Sequence, residues 1–375
     1  MKKIWIPIIV VVIIIGVVAV FYKPASKGTI KIGVITPLSG TMVQMGEWTR
    51  NGLELAKEEI NQKGINGRRI ELIYEDSQGD PKTAVLSAKK LISQDKVLAI
   101  ITSSGAPSAL AVKEVANQEK IIQLEAICYP TECHTLDDYL FRMSDTVSTQ
   151  AYILADFLVK KLHKEKPAVL YINNDLGISL LQNFTERLSK YGIKPTALES
   201  FLLDTEDFRT QLTKIKAKSP DVLLIFSYFY EAGTIAKQME ELGMNIQLLG
   251  TPTTQSPQTL EVGKEAIEGI IYPYPGFGLR GSEAEQKYIK EYRERYDKEP
   301  EAIGAKVYDA LKILTFVITK CNNNLNSNCF KEELEKICDF QGASNNICFD
   351  EYGDLKEETY ILKTIKNGQF VPYEE

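Results

Sequence analysis

Only two histidines, His134 and His163, occur in the 375 residues, and no cysteine precedes position 128. Scarce histidine removes the commonest general base and the commonest neutral metal ligand. No C-x-x-C pair is present and neither histidine has partners at zinc-ligand spacing, so no metal site is expected. G-x-S-x-G, H-E-x-x-H and Walker A motifs are also missing. That leaves no framework for a hydrolase, a metalloprotease or a nucleotide enzyme, and neither catalysis nor a cofactor is expected. Positive charge is short as well. There are 44 Lys and Arg against 50 Asp and Glu, a formal net charge of −6, and no basic stripe interleaved with aromatics. A nucleic-acid surface is not expected.

What the chain does have begins at its start. Residues 4–22 carry no charge and are almost wholly apolar, and Lys2 and Lys3 precede them. A helix needs roughly 20 apolar residues to cross a bilayer core, whereas the apolar region of a cleaved signal runs to roughly 7–15. The run reads as a transmembrane anchor, with a signal removed after export as the alternative. The basic flank keeps the N-terminus in the cytoplasm and places everything after Phe21 outside. No cysteine follows for lipid attachment, and Ala19 and Ala25 make no clear cleavage site. Residues 23–28 read as a linker. The six cysteines, at 128, 133, 321, 329, 338 and 348, all fall in the exported part. An even count outside the cytoplasm favours disulfides. Six cysteines allow about fifteen connectivities. Nearest-neighbour pairing (Cys128 with Cys133, Cys321 with Cys329, Cys338 with Cys348) is the reading taken, and free buried thiols are the alternative.

From residue 29 onward β-branched runs alternate with segments of helical period. Strands are expected at 29–35, 69–74, 97–101 and 120–124, with helices at 47–61, 81–94 and 108–118 between them. The pattern restarts with helices at 149–162, 178–190, 205–218 and 232–242 and strands at 168–172, 197–202, 221–226 and 246–250. Two doubly wound α/β units with mainly parallel sheets follow. Sites in such sheets lie beyond the carboxyl ends of strands, which directs attention to loops 37–47, 102–107, 124–131, 173–177, 227–233 and 250–256.

Those loops carry a recognisable pattern. Gly33, Pro37 and Gly40 are followed by Gly46, Asn51, Gly52, Asn61, Gly64, Gly67, Asp76, Asp80 and Pro81. Ser103, Ser104 and Gly105, then Asp207 and Phe208, Pro220 and Asp221, Glu268 and Gly269, and Asp354 continue it. In order and spacing, from about residue 29 to about 362, this resembles the periplasmic solute-binding proteins of the leucine/isoleucine/valine type. The resemblance implies the type I periplasmic-binding architecture, two Rossmann-like lobes joined by three crossovers near Thr146, Pro275 and Glu357. Lobe 1 would comprise 29–146 plus 276–357, and lobe 2 would comprise 147–275 plus 358–375. It further implies capture of a small polar ligand by hinge closure, a branched-chain or other amino acid by default, with delivery to the permease subunits of an ABC transporter. Alternatives are a sensory ectodomain acting through a partner, or a binder of an amide, a urea-like compound or an aromatic acid.

On this resemblance Ser103 and Ser104 match a carboxylate-binding loop, with helix capping as their other role. Ala126, Ile127 and Cys128 match a second ligand loop, where Cys128 replaces a usual hydroxyl. Tyr228 matches an aromatic wall of the cleft, with Tyr230 and Glu231 behind it. Leu176 replaces a frequent tyrosine. At 251–253 the chain reads Thr251, Pro252, Thr253 where amino-acid binders usually carry an acid for the ligand ammonium. Either Glu125 or Glu231 supplies that charge or the ligand is not a simple α-amino acid, because a buried ammonium without a counter-charge is costly.

Overall fold

The computed structural model describes residues 28–374 apart from 130, 134, 145, 229, 230, 323 and 357. The apolar run at 4–22 and the crossover residue Glu357 lie outside the described residues. Among the described residues no helix is long and apolar enough to cross a membrane.

Two sheets organise the chain. The first holds β1 (Thr29–Thr36), β2 (Arg69–Asp76), β3 (Ala99–Thr102), β4 (Ile122–Glu125) and β5 (Leu140–Arg142), all parallel, in the order β2-β1-β3-β4-β5. Successive residues of these strands are buried on opposite faces. Ile32 and Val34 join the cluster under α1 (Val43–Lys63) and the later helix α10 (Ala302–Cys321). Ile35 and Ile100 join the one under α2 (Pro81–Lys90) and α3 (Ala106–Glu119). A strand covered on both faces tends to be apolar at successive positions, as Val34 with Ile35 and residues 99–101 are, whereas the edge strand β2 alternates at its start. α1 and α10 cross closely, because Gly52 has no side chain to meet the Gly304 carbonyl.

The second sheet contains β6 (Pro167–Ile172), β7 (Ala197–Phe201), β8 (Val222–Phe226), β9 (Gln247–Leu249) and β10 (Ile271–Pro275), all parallel. Between them run α4 (Val147–Lys160, before β6), α5 (Asp175–Ser189), α6 (Arg209–Lys216), α7 (Glu231–Glu241) and α8 (Pro257–Gly263). β9 leads into the 3-10 turn Pro252–Thr254. After β10 the chain returns to the first sheet as α9 (Glu283–Tyr296), α10 and α11 (Ser327–Leu334). A small β11–β12 ribbon (Phe340–Gln341, Asn346–Ile347) follows. It then recrosses to add β13 (Tyr360–Lys366), antiparallel to β10, and β14 (Gln369–Pro372). The fold is therefore a mixed α/β, two-lobed type I periplasmic-binding fold whose first strands in each sheet, β1 and β6, sit between later ones.

Two sequence expectations shift for local reasons. The helix expected at 81–94 is regular only to Lys90 and widens into a π-turn at Leu91–Asp95, closed by Lys96 at φ 58°. The helix expected at 205–218 begins at Arg209, because the Phe208 N–H donates to Gln238 Oε1 (2.7 Å) instead of entering a helical ladder. Three disulfides join Cys128 to Cys133, Cys321 to Cys329 and Cys338 to Cys348.

Candidate ligand-binding site

Ligands gather at the switch point of a doubly wound sheet, where strand order reverses. Here both sheets aim that point at one another. After β1 and β3 come Met45, Trp48, Gly105 and Ala106; after β6 and β8 come Leu176 and Tyr228. All six line one cavity between the lobes. The helices close over the strand ends because Gly46 and Gly177, in the first turns of α1 and α5, lack a Cβ that would collide with the carbonyls of Pro37 and Ile172. The cavity volume is about 60 Å³.

Its walls are mostly apolar and aromatic, with Tyr129, Tyr274, Pro275 and Ile303 completing them. Tyr228 is 6% exposed. Its hydroxyl accepts from Asn174 Nδ2 (3.3 Å) and reaches across to within 3.7 Å of the place a Cβ on Gly105 would take. Gly105, at φ 80°, opens α3 with no side-chain cap. Burial raises the Tyr228 hydroxyl above its ordinary range, so it stays a neutral donor.

Among the described residues one carboxylate lines this space. Glu301 precedes α10, and its Oε2 accepts from Gln255 Nε2 (3.0 Å) and from the Tyr274 hydroxyl (2.5 Å). Both donors come from the opposite lobe, so these bonds span the cleft. Burial raises the Glu301 carboxyl above its usual value, while Tyr274, Gln255 and the charge of Lys363 hold it down. Thr251 and Thr253 face each other (2.7 Å), and Thr253 Oγ1 donates to the Ser227 carbonyl (2.7 Å). That loop thus contributes Gln255 to an acid from across the cleft instead of an acid of its own.

Of the residues expected from the sequence, Ile127 and Tyr228 line the cavity. The other described ones do not line it. Ser104 Oγ donates to the Ile35 carbonyl (3.0 Å), and Ser103 Oγ accepts from Thr49 (2.8 Å), so both hydroxyls are turned into the strand layer. The Ala126 N–H is held by the Thr102 carbonyl (3.0 Å) and the Cys128 carbonyl by Arg142 Nη1 (2.7 Å). Glu125 is fully buried, and its Oε1 accepts the Ile127 N–H (3.0 Å), so it props the loop from beneath. Glu231 is buried in the first turn of α7, away from the cavity lining. Neither carboxylate expected to meet an ammonium lines the cavity, and Glu125 is turned to the Ile127 N–H of its own loop. Tyr230 lies outside the described residues.

Glu301, Gln255, Tyr274, Gln150 and Lys306 are the polar lining residues that sequence reasoning passed over. Glu301 and Lys306 sit on a helix that follows the second crossover, outside the strand-to-helix loops where a site is sought. A lysine within the apolar stretch 302–318 was the available signal.

Burial pushes the Glu125 carboxyl up to about 7 against hydrogen bonds that pull it down. A group whose folded value exceeds its unfolded 4.5 contributes stability below 4.5 that is lost as pH rises through about 7. Glu125→Gln keeps the acceptor for Ile127. Its unfolding free energy should match the wild type near pH 4 and exceed it at pH 8, by up to about 3 kcal/mol, in chemical denaturation at the two pH values.

A two-lobed α/β protein with an enclosed, aromatic-walled interlobe cavity is a binding protein by construction. The periplasmic binding protein family model matches residues 29–369, and the chain belongs to that family. Its members are substrate-binding proteins that act outside the cytoplasm, not enzymes. The chain is similar to a Leu/Ile/Val-binding protein homologue of Brucella melitensis, 23% identical over 94% of this chain and 96% of that one. It is also similar to an amino acid binding protein of Pseudomonas aeruginosa, 27% identical over 88% of each. Among solved structures it resembles a leucine-binding protein from Thermotoga maritima at TM-score 0.86 and 26% identity, covering 92% of this chain and 98% of the other. A branched-chain amino acid binding protein from Streptococcus pneumoniae, solved with isoleucine, gives TM-score 0.81 at 26% identity over 91% and 97%.

Proposed function

We propose that this protein captures an α-amino acid with an apolar side chain, such as leucine or isoleucine, by closing its lobes on the ligand, and hands it to an ABC permease. The observation that carries this is Glu301: a single carboxylate set among aromatic walls is suited to one ammonium beside an apolar group. Trp48, Ile127, Tyr228 and Tyr274 would cover the side chain from both lobes. Burying such a group is worth about 1.5–3 kcal/mol, and closure excludes water from the ion pair. Glu301, Gln255 and Tyr274 join the lobes directly, so a ligand seated on Glu301 contacts the elements that close. The names of the relatives, several of them leucine/isoleucine/valine binders, support the same ligand class. The run at 4–22 would keep the binding domain at the membrane, beside its permease.

A thermal-shift panel on the purified full chain tests the reading. Leucine, isoleucine or valine should raise the melting temperature in a concentration-dependent way, as any ligand of the native state must. Stabilisation by urea, amides or benzoic acids in place of amino acids would reject it.

A further inference from the structure

Lys306 is the sole cation among the described residues that line the cavity, and the reading above gives it no task. It stands five residues after Glu301, one turn and a half further along α10. It is 2% exposed. Its Nζ lies 2.7 Å from Oε1 of Glu358, in the third crossover, and 5.5 Å from the centre of the Tyr129 ring. Glu358 Oε2 accepts from the Tyr360 hydroxyl (3.3 Å), which accepts from Gln150 Nε2 (3.1 Å). Gln150 also lines the cavity, so a hydrogen-bonded path leaves it at Lys306, passes through the third crossover and returns at Gln150.

A lysine ammonium carries three donors, so its engagement with Glu358 is compatible with a second carboxylate. Two hydroxyls of the neighbouring loops are committed elsewhere: Ser104 Oγ donates to the Ile35 carbonyl, and Thr253 Oγ1 donates to the Ser227 carbonyl. The Tyr129 face beside Nζ favours a cation there.

We propose that Lys306 binds the acid end of the ligand, so that the cavity recognises a zwitterion between Glu301 and Lys306 and couples its occupancy to the third crossover through Glu358. This rests on the amino-acid reading given above and names the second half of the recognition. It makes Lys306 a specificity-determining residue that separates amino acids from their amides.

The test is calorimetric titration of the full chain with leucine and with leucinamide, which keeps the ammonium and side chain but has no carboxylate. The wild type should bind leucine at least about 30-fold more tightly than leucinamide, the scale expected for a buried charge pair. In Lys306→Gln that ratio should collapse towards one through loss of leucine affinity, with leucinamide binding retained. Because Glu358 would be left without its cation, Lys306→Gln/Glu358→Gln is measured beside it and should show the same collapse. A ratio unchanged in both variants, or an equal loss of both ligands in both, would overturn the assignment and leave the amino-acid reading standing. Failure of the wild type to bind any amino acid would overturn both.

Discussion

Replacing Glu301 with glutamine should reduce leucine or isoleucine affinity by about 2–5 kcal/mol, or from about 30-fold to several thousandfold, as measured by isothermal titration calorimetry. The variant keeps the size of the side chain and can still meet Gln255 and Tyr274, so the fold and the interlobe bonds persist. It loses the one carboxylate among the described residues that line the cavity. An ammonium taken into such a space without a counter-charge forfeits hydration that nothing replaces. The pH dependence follows with a definite sign. Glu301 sits above the usual carboxylate value because it is buried, and the ligand needs it ionised. Affinity in the wild type should therefore fall as pH drops through that raised value and level off above it. In Glu301→Gln the weaker binding should not show this fall.

The second large effect is on stability. Asp354→Ala should destabilise the protein by about 3–5 kcal/mol in chemical denaturation, because it strands a buried guanidinium. Arg142 is fully buried; its Nε and Nη2 donate to the two oxygens of Asp354, and its Nη1 donates to the Cys128 carbonyl (2.7 Å). The Arg142 N–H also bonds the Gly353 carbonyl (2.8 Å). One side chain thus ties β5, the loop that carries Ile127, and the approach to the third crossover. Asp354→Asn keeps an acceptor but not the charge and should fall between alanine and wild type. Ligand affinity should weaken along with stability, since the carbonyl of Cys128 is held by the same arginine.

Strands such as β3, β6 and β8 are legible because each is a short apolar run, as sheets covered on both faces demand. Helix ends were less so. Whether Thr205 or Arg209 starts a helix depends on Gln238, a residue about 30 positions away that captures the Phe208 N–H. The site divides in the same way. Tyr228 and Ile127 were found because they follow strands, where cleft residues are expected. Ser103 and Ser104 were placed in the right loop, yet nothing local shows that their hydroxyls turn inward to Ile35 and Thr49. Glu301 escapes a search of the strand-to-helix loops for a topological reason: it lies on the other lobe, about 50 residues after the loop at 251–253, whose Gln255 donates to it.

A crystal structure of the protein grown with isoleucine tests whether the cavity holds an amino acid by its ammonium at Glu301. The ligand should be enclosed between the lobes, its nitrogen about 3 Å from the Glu301 carboxylate and its side chain against Trp48 and Tyr228. Isoleucine bound with its ammonium turned away from Glu301, or an empty cavity at saturating isoleucine, would contradict it.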